Sequence, residues 1–182
     1  MFYRRRLPHW IPEDAIIFIT WRLAGSVPVQ PPEIITIDYL SGKRESPLAT
    51  SGPFWLRDPR IAILVAGALH YGEATRRFYD LYAWVIMPNH MHVILKPHVE
   101  LSSILRWLKG RTGRMANRLL GRIGMPFWQD ESFDHWVRSN YELTALIKYV
   151  ESNPVHAGLV QLAAEWPWSS VVGQTIGVGG LP

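Results

Sequence analysis

A chain of 182 residues is long enough for one domain with its own core and too short for two domains of ordinary size. Hydrophobic residues make up 48% of the chain and charged residues 19%, a composition that excludes an intrinsically disordered protein. Cysteine is absent, which excludes disulfides, thiolate metal sites and a thiol nucleophile, and the net charge of +4 favours polyanionic partners.

The N-terminal stretch, residues 1–21, carries arginines but lacks the apolar centre and the small-residue cleavage site of a signal peptide. No apolar run approaches the roughly 18 residues that a membrane-spanning helix needs. We therefore expect a cytoplasmic protein that makes no contact with a membrane.

Hydrophobic periodicity and turn residues predict a series of strands and helices along the chain. Asp58 before Pro59 is typical of a helix start, and Gly121 of a helix end. Pro154 disfavours the helical state in the residue before it, which predicts that the last helix ends at Asn153. The predicted order is a strand over 15–23, a helix over 58–72, strands over 79–87 and 90–96, a helix over 101–120, a strand over 133–138 and a helix over 139–153.

A strand hairpin between two helical connections is typical of a ferredoxin-like arrangement. The predicted fold class is therefore α+β, with an antiparallel sheet backed by helices. We expect a single domain over residues 1–182. A Pro-, Ser- and Gly-rich stretch at about 28–57 predicts a variable insertion, and residues of about 160–182 predict a closing tail packed by Trp166 and Trp168.

The stretch "MPNHMHVILKP", residues 87–97, places two histidines at the start of an apolar strand. On a strand, alternate residues point to one face, so His90 and His92 project together. Met91, Val93 and Leu95 form the opposite row and are predicted core residues. Two neighbouring imidazoles can bind one divalent metal, whereas such a pair is also common as polar surface decoration. The two residues alone leave both readings open.

Several kinds of site could include the two histidines, and the sequence argues against two of them. A histidine-triad hydrolase needs a third histidine where this chain has Ile94, and a structural zinc site needs cysteines that are absent. On the last predicted helix, Tyr149 and Asn153 are four residues apart and share one face. A tyrosine there ordinarily packs at the core edge, and an asparagine before proline ordinarily caps a helix, so their roles stay open.

Basic residues concentrate in the second predicted helix, because residues 101–129 contain no Asp or Glu. Basic side chains at helical spacing contact DNA phosphates or simply face solvent. The basic residues are Arg106, Lys109, Arg111, Arg114, Arg118 and Arg122. The predicted apolar face of the same helix consists of Leu101, Leu105, Leu108, Met115 and Leu119.

Two segments of the chain resemble the single-tyrosine HUH transposases. "WVIMPNHMHVILKP" has two histidines around a hydrophobic residue, and "KYVESNPVHAGLV" has a tyrosine on a predicted helix. Within that superfamily the chain is most similar to the REP-associated tyrosine transposases, which share "RRLPHW…FITWRLA", "FWQ…DHWVR" and "NPVHAGLV". The resemblance spans roughly residues 4–160 and is least recognisable over 28–57.

The resemblance implies the HUH endonuclease fold and a DNA-nicking activity. It implies that His90, His92 and Asn153 hold a divalent metal, Mg²⁺ or Mn²⁺, and that Tyr149 is the nucleophile. A free phenol has a pKa of about 10, and a metal that polarises the scissile phosphate offsets this weakness. Attack by the tyrosine would give a 5′-phosphotyrosine link and a free 3′-hydroxyl, and the link could be rejoined to another 3′-hydroxyl without ATP.

The implied partner is single-stranded DNA folded into imperfect hairpins such as REP palindromes. The resemblance favours a monomer, with a swapped dimer as the alternative. It also turns the basic residues into predicted DNA contacts. These are Arg4, Arg5, Arg6, Arg106, Lys109, Arg111, Arg114, Arg118 and Arg138.

One position departs from the family pattern, since Ser132 and Phe133 stand where relatives often carry tyrosines. The absence of tyrosines at these positions removes a competing nucleophile and favours Tyr149.

Two other functions stay open. A catalytically inactive hairpin-binding protein would act in regulation or repeat maintenance and would not need the predicted site. A metal-dependent phosphodiesterase would use water as nucleophile and leave no covalent adduct.

Overall fold

A computed structural model describes residues 12, 14–26 and 52–175 of the chain. The predicted DNA contacts Arg4, Arg5 and Arg6 lie outside the described residues, as do most of the predicted insertion and the end of the predicted tail. No helix among the described residues is both long enough and apolar enough to cross a lipid bilayer.

Every predicted strand and helix is present, in the predicted order. The structure adds a short last helix and two 3₁₀ turns, at Trp55–Arg57 and Ala163–Glu165. The elements are β1 (Ile17–Leu23), α1 (Pro59–Ala74), β2 (Tyr79–Ile86), β3 (His90–Pro97), α2 (Leu101–Leu119), β4 (Trp128–Trp136), α3 (Asn140–His156) and α4 (Ser170–Thr175). Asp58 is the N-cap of α1, and its side chain accepts a hydrogen bond from the Arg60 backbone N–H.

The four strands form one antiparallel sheet in the order β2-β3-β1-β4. β1 and β3 occupy the centre of the sheet, and most of their side chains are buried, on both faces. This order and the backing helices are those of a ferredoxin-like sheet. The predicted α+β fold class is confirmed.

The two faces of the sheet carry separate hydrophobic clusters. On one face, Met91, Val93 and Leu95 of β3 pack with α1 and α2 in the larger cluster. On the other face, Phe18 and Ile94 pack with side chains of α3. The predicted alternation along β3 is confirmed, and it leaves the two histidines on the face that α3 covers.

The predicted end of the last helix at Asn153 is wrong. α3 continues through Pro154 to His156, and Ala157 is its C-cap. A proline removes only one backbone donor, and the last turn is held by hydrogen bonds from Ala157 N to Asn153 O (2.9 Å) and from Leu159 N to Pro154 O (2.9 Å). Asn153 and Pro154 are both buried, so tertiary packing outweighs the local preference.

The predicted apolar face of α2 is wrong at two positions, because Met115 is 38% and Leu119 is 45% exposed. The helix instead buries small and polar residues where it meets the start of β4. A Cβ atom added to Gly113 would lie 3.4 Å from the Phe127 Cβ, so only a small residue permits this approach. The buried positions are Ile104, Leu108, Thr112, Gly113, Ala116 and Asn117.

Residues that follow α3 return to the free edge of β2. Trp166 donates its indole N–H to the Ile86 carbonyl (3.0 Å), and the Ile86 N–H donates to the Trp168 carbonyl (2.8 Å). Ser170 Oγ accepts from the Trp84 N–H (3.2 Å). These bonds cover strand groups that would otherwise be exposed at the sheet edge.

Candidate active site

His90 and His92 lie at the start of β3, immediately after the turn that joins it to β2. Both are buried, with His90 8% and His92 1% exposed. Their ring centroids are 4.8 Å apart, and the ring planes are inclined by 78°. The structure therefore brings the two imidazoles together, as the strand periodicity predicts.

Each imidazole is oriented through its Nδ1 atom. His90 Nδ1 lies 2.7 Å from Asn89 Oδ1, and His92 Nδ1 lies 2.6 Å from Thr20 Oγ1. Because Asn89 Oδ1 accepts, His90 Nδ1 carries the hydrogen and Nε2 presents a lone pair. Such outer partners are typical of metal-binding histidines.

His92 Nε2 is buried and makes no hydrogen bond with the part of the chain that the structure describes. A buried polar atom without a partner costs free energy, and a metal ion bound at Nε2 would remove that cost. No cluster of three or more His, Cys, Asp or Glu side chains suited to a metal occurs among the described residues. The two imidazoles are a donor pair that fits a divalent ion with open positions for further ligands.

Burial keeps both imidazoles neutral. It holds the pKa of His90 well below its usual value, with further lowering by the charges of His92 and Arg22. Burial, followed by the charge of Arg22, lowers the pKa of His92 to about 3. A neutral imidazole is the form that binds metal, so the pair is ready for a metal at neutral pH.

Tyr149 and Asn153 project from α3 onto the same face of the sheet. The ring centroid of Tyr149 lies 5.3 Å from that of His92 and 6.1 Å from that of Phe18. Asn153 follows one helical turn later and is fully buried. The structure thus places the predicted nucleophile against a predicted metal ligand, with its side chain only 1% exposed.

Most of the predicted DNA contacts that the structure describes are exposed. Those on α2 lie on the helix layer that covers the face opposite the histidines. They are Arg106, Arg111, Arg114 and Arg118, and Arg138 is exposed beyond the end of β4. Arg114 and Arg118 also line a groove of about 480 Å³ between α2 and the start of β4.

Lys109 differs from the other basic residues of α2. Its Nζ atom donates to the backbone carbonyls of Gln129 (3.1 Å), Asp130 (3.0 Å) and Glu131 (3.2 Å). Burial lowers the pKa of Lys109 to about 8, against the opposing effect of the Asp130 and Glu131 charges. All three ammonium hydrogens thus have acceptors within the protein, so a phosphate contact would compete with these bonds.

Sequence reasoning missed three residues around the histidines, namely Asn89, Thr20 and Arg22. Asn89 directly precedes His90, and this position in the sequence could have marked it as a site residue. Thr20 and Arg22 share one row of β1 with Phe18, and this polar alternation in an apolar strand was the signal for a functional face. Their proximity to the histidines follows from the pairing of β1 with β3, which the residues alone do not specify.

A sequence model of the family described as "Transposase IS200 like" matches residues 69–153. This segment contains His90, His92, Tyr149 and Asn153. Over these residues, a little under half of its length, the chain is similar to the IS200-like transposases. Individual relatives confirm the resemblance to the REP-associated tyrosine transposases.

Two of these relatives are curated bacterial proteins. The REP-associated tyrosine transposase of Escherichia coli K12 is 27% identical over 96 residues, which are 52% of this chain and 55% of that protein. A Haemophilus influenzae protein provisionally assigned to the same group is 24% identical over 103 residues, 50% of this chain and 58% of that protein. The matches thus span little more than half the length of these relatives.

A solved structure of a REP-associated tyrosine transposase bound to a REP hairpin is similar to this chain over nearly its whole length. The alignment covers 99% of this chain and 88% of that chain, with a TM-score of 0.57 and 21% sequence identity. At that identity the similarity establishes a common fold.

Proposed function

We propose that this protein is a transposase that nicks and rejoins single-stranded DNA at hairpins through a 5′-phosphotyrosine intermediate. The observation that carries the proposal is the contact between Tyr149 and His92, a histidine whose Nε2 is buried without a hydrogen-bond partner among the described residues. A tyrosine at the core edge explains the burial of Tyr149. It does not explain two neutral imidazoles oriented through Nδ1 beside it.

The proposed reaction forms a bond between Tyr149 Oη and phosphorus and breaks the bond between phosphorus and the 3′ oxygen. The phenol loses its proton, and the leaving oxygen ends as a 3′-hydroxyl, with water as the carrier between them. A second 3′-hydroxyl then attacks the phosphotyrosine and restores a phosphodiester and the phenol. The number of phosphoester bonds is unchanged throughout, so no nucleotide cofactor is needed.

His90, His92 and Asn153 are the residues that would hold the divalent metal, Mg²⁺ or Mn²⁺. When bound, such an ion polarises the phosphate and offsets the negative charge that grows as phosphorus is attacked. Asn89 and Thr20 fix the imidazole orientations through their contacts with Nδ1.

Single-stranded hairpins are the proposed substrate. A relative with the same fold is known bound to a REP hairpin, and the exposed arginines of α2 provide phosphate contacts that do not depend on sequence. We further propose that the protein acts as a monomer, in which Tyr149 and the two histidines of one chain form the site.

DNA reaches Tyr149 only if the enzyme opens, because the phenol is almost fully covered in this structure. We infer that α3 moves away from the sheet when a hairpin binds. The same burial favours a second candidate function, a hairpin-binding protein without turnover, in which Tyr149 serves only as a core residue.

The test uses imperfect palindromes from DNA that flanks the gene, labelled on the 3′ side of the candidate cut and incubated with Mn²⁺ or EDTA. Label that migrates with the protein on a denaturing gel identifies the covalent adduct. We expect an adduct that requires Mn²⁺ and is lost in Tyr149→Phe and His90→Ala. The matched control is Tyr141→Phe, because Tyr141 lies on the same helix but is 79% exposed.

Mass spectrometry then identifies the attached residue. Trypsin cleaves after Arg138 and Lys148, so Tyr141 and Tyr149 fall in different peptides. Tight hairpin binding without adduct or cut strands, over several palindromes and both metals, would contradict the enzyme and support the binding protein. Cut strands without adduct from the Tyr149→Phe protein would instead indicate hydrolysis by water.

A further inference from the structure

β1 places Arg22 in the same row of side chains that contacts the histidine pair. Arg22 pairs directly with His90, as Thr20 pairs with His92. Directly opposed side chains of an antiparallel pair lie on one face, with Cβ atoms roughly 4.5–5.5 Å apart. The contact between Thr20 Oγ1 and His92 Nδ1 identifies this as the face of the candidate site. Arg22 therefore lies beside the metal ligands, and it is only partly buried.

The sheet is irregular at this point. Trp21 pairs with Ser132, whereas Leu23 pairs with Trp128, so residues 129–131 of β4 form a bulge opposite Arg22. The carbonyls of those bulged residues are the three acceptors of Lys109 Nζ. Bulges are frequent next to active sites, where they redirect a side chain. Lys109 thus stabilises the irregularity beside which Arg22 is positioned.

The charge of Arg22 is unfavourable for a metal site. Arg22 stands opposite His90 and two residues from Thr20, which stands opposite His92, so its charge lies near both rings. The same charge would repel a divalent cation held by them. A phosphodiester is the anion that the proposed reaction brings to the site, and its negative charge would offset this repulsion.

We propose that Arg22 binds the scissile phosphate, with its guanidinium donating to the non-bridging oxygens while Tyr149 attacks phosphorus. This inference rests on the proposed function. The planar guanidinium presents paired donors that match two phosphate oxygens. Negative charge grows on those oxygens as the Oη–P bond forms and the P–O3′ bond breaks, so the contact strengthens in the transition state. Arg22 remains protonated and forms no covalent bond.

The kinetic test compares Arg22→Gln, which removes the charge, with Arg22→Lys, which keeps the charge and loses the paired donors. Arg76→Gln is the matched control, since Arg76 is an exposed arginine just after α1. Adduct formation is measured in a single turnover with saturating hairpin and Mn²⁺. We expect Arg22→Gln to slow it by about 10²–10³-fold, the loss found for one charge-stabilising donor, Arg22→Lys to slow it less, and the control to leave it unchanged.

A binding test separates phosphate contact from a structural role. In a Tyr149→Phe background the hairpin stays uncut, and the scissile phosphate is replaced by a neutral methylphosphonate. If Arg22 contacts that phosphate, the replacement weakens binding to the Tyr149→Phe protein at least about threefold more than binding to the Tyr149→Phe/Arg22→Gln protein. Mn²⁺ affinity, measured by electron paramagnetic resonance, should be equal or higher after Arg22→Gln because a repulsive charge is removed.

Two results would overturn the assignment of Arg22. One is an equal loss of affinity on methylphosphonate replacement with and without Arg22. The other is a loss of Mn²⁺ affinity in both Arg22 variants, which would make Arg22 a support of the metal site. Failure of the proposed function is distinguishable, because it appears as a wild-type protein that forms no adduct. The binding test needs no turnover and, applied to each phosphate at the foot of the hairpin, still decides whether Arg22 contacts one.

Discussion

Thr20 of β1 and His92 of β3 face each other across the central strand pair, and Thr20 Oγ1 lies 2.6 Å from His92 Nδ1. Both side chains are almost fully buried. The contact holds the imidazole so that Nε2 is directed away from Thr20. Thr20 has no chemical role of its own in the proposed reaction, but it orients His92, which would bind the metal.

Thr20→Val should weaken metal binding without unfolding the protein. Valine has nearly the shape of threonine but cannot hydrogen-bond to His92 Nδ1. We expect Mn²⁺ affinity to fall by about 10–100-fold, the usual effect of losing such an outer partner. Thr20→Ser keeps the hydroxyl and is the matched control. An unchanged Mn²⁺ titration for Thr20→Val would show that Thr20 does not orient a metal ligand.

The metal-free protein should lose stability as the pH falls below about 6.5. Burial lowers the pKa of His92 to about 3, while a histidine in the unfolded chain has a pKa of about 6.5. Between these values the unfolded state binds the proton and the folded state does not, so stability decreases as pH falls. From pH 7 to pH 5, His92 alone should remove about 2 kcal/mol from the free energy of unfolding.

Urea unfolding with EDTA at several pH values measures this dependence. His92→Gln replaces the titrating ring by a neutral side chain and should remove the His92 share of the pH dependence between pH 7 and pH 5, while the share of the buried His90 remains. A wild-type midpoint that stays constant over that range would contradict a buried neutral His92.

Substitution of Lys109 should mainly reduce stability, whereas substitution of Arg114 should mainly change DNA binding, although both are basic residues of α2. Lys109→Met removes charged hydrogen bonds to the carbonyls of the β4 bulge and should reduce the free energy of unfolding by about 1–3 kcal/mol. Arg114→Ala changes an exposed side chain and should alter stability by less than about 0.5 kcal/mol. It should also reduce the slope of log Kd for the hairpin against log salt concentration by about one. A salt slope that falls for Lys109→Met without loss of stability would reassign Lys109 to DNA.

Gly72 and Gly67 of α1 offer a matched pair of glycine-to-alanine changes. A Cβ atom at Gly72 would lie 2.8 Å from Tyr79 Cζ and 3.1 Å from Trp107 Cζ3, and Tyr79 is held by its hydrogen bond to the Leu69 carbonyl (2.8 Å). Gly72→Ala should therefore destabilise the fold by about 1–3 kcal/mol through overpacking. At Gly67 nothing lies within 4 Å, so Gly67→Ala should stabilise α1 by roughly 0.5–1 kcal/mol. Thermal unfolding of both variants measures the difference, and similar melting temperatures would contradict the close packing at Gly72.

The sequence by itself determined the properties that depend on neighbours along the chain. The alternation in "HMHVIL" placed His90 and His92 on one face, because the pleat of a strand is a local property. The spacing of four placed Tyr149 and Asn153 on one helical face for the same reason. The order of strands and helices then restricted the fold to a small set that includes the ferredoxin-like sheet.

Tertiary structure alone decided what lies opposite these residues. Thr20 and Arg22 join the histidines only because β1 pairs with β3 in one register. Lys109, predicted as a DNA contact, donates to the backbone of β4, and α3 continues past the proline that was expected to end it. Each outcome depends on contacts between residues far apart in sequence. Together, such contacts outweigh local preferences of about 1–3 kcal/mol. No local sequence pattern reveals which residues will make them.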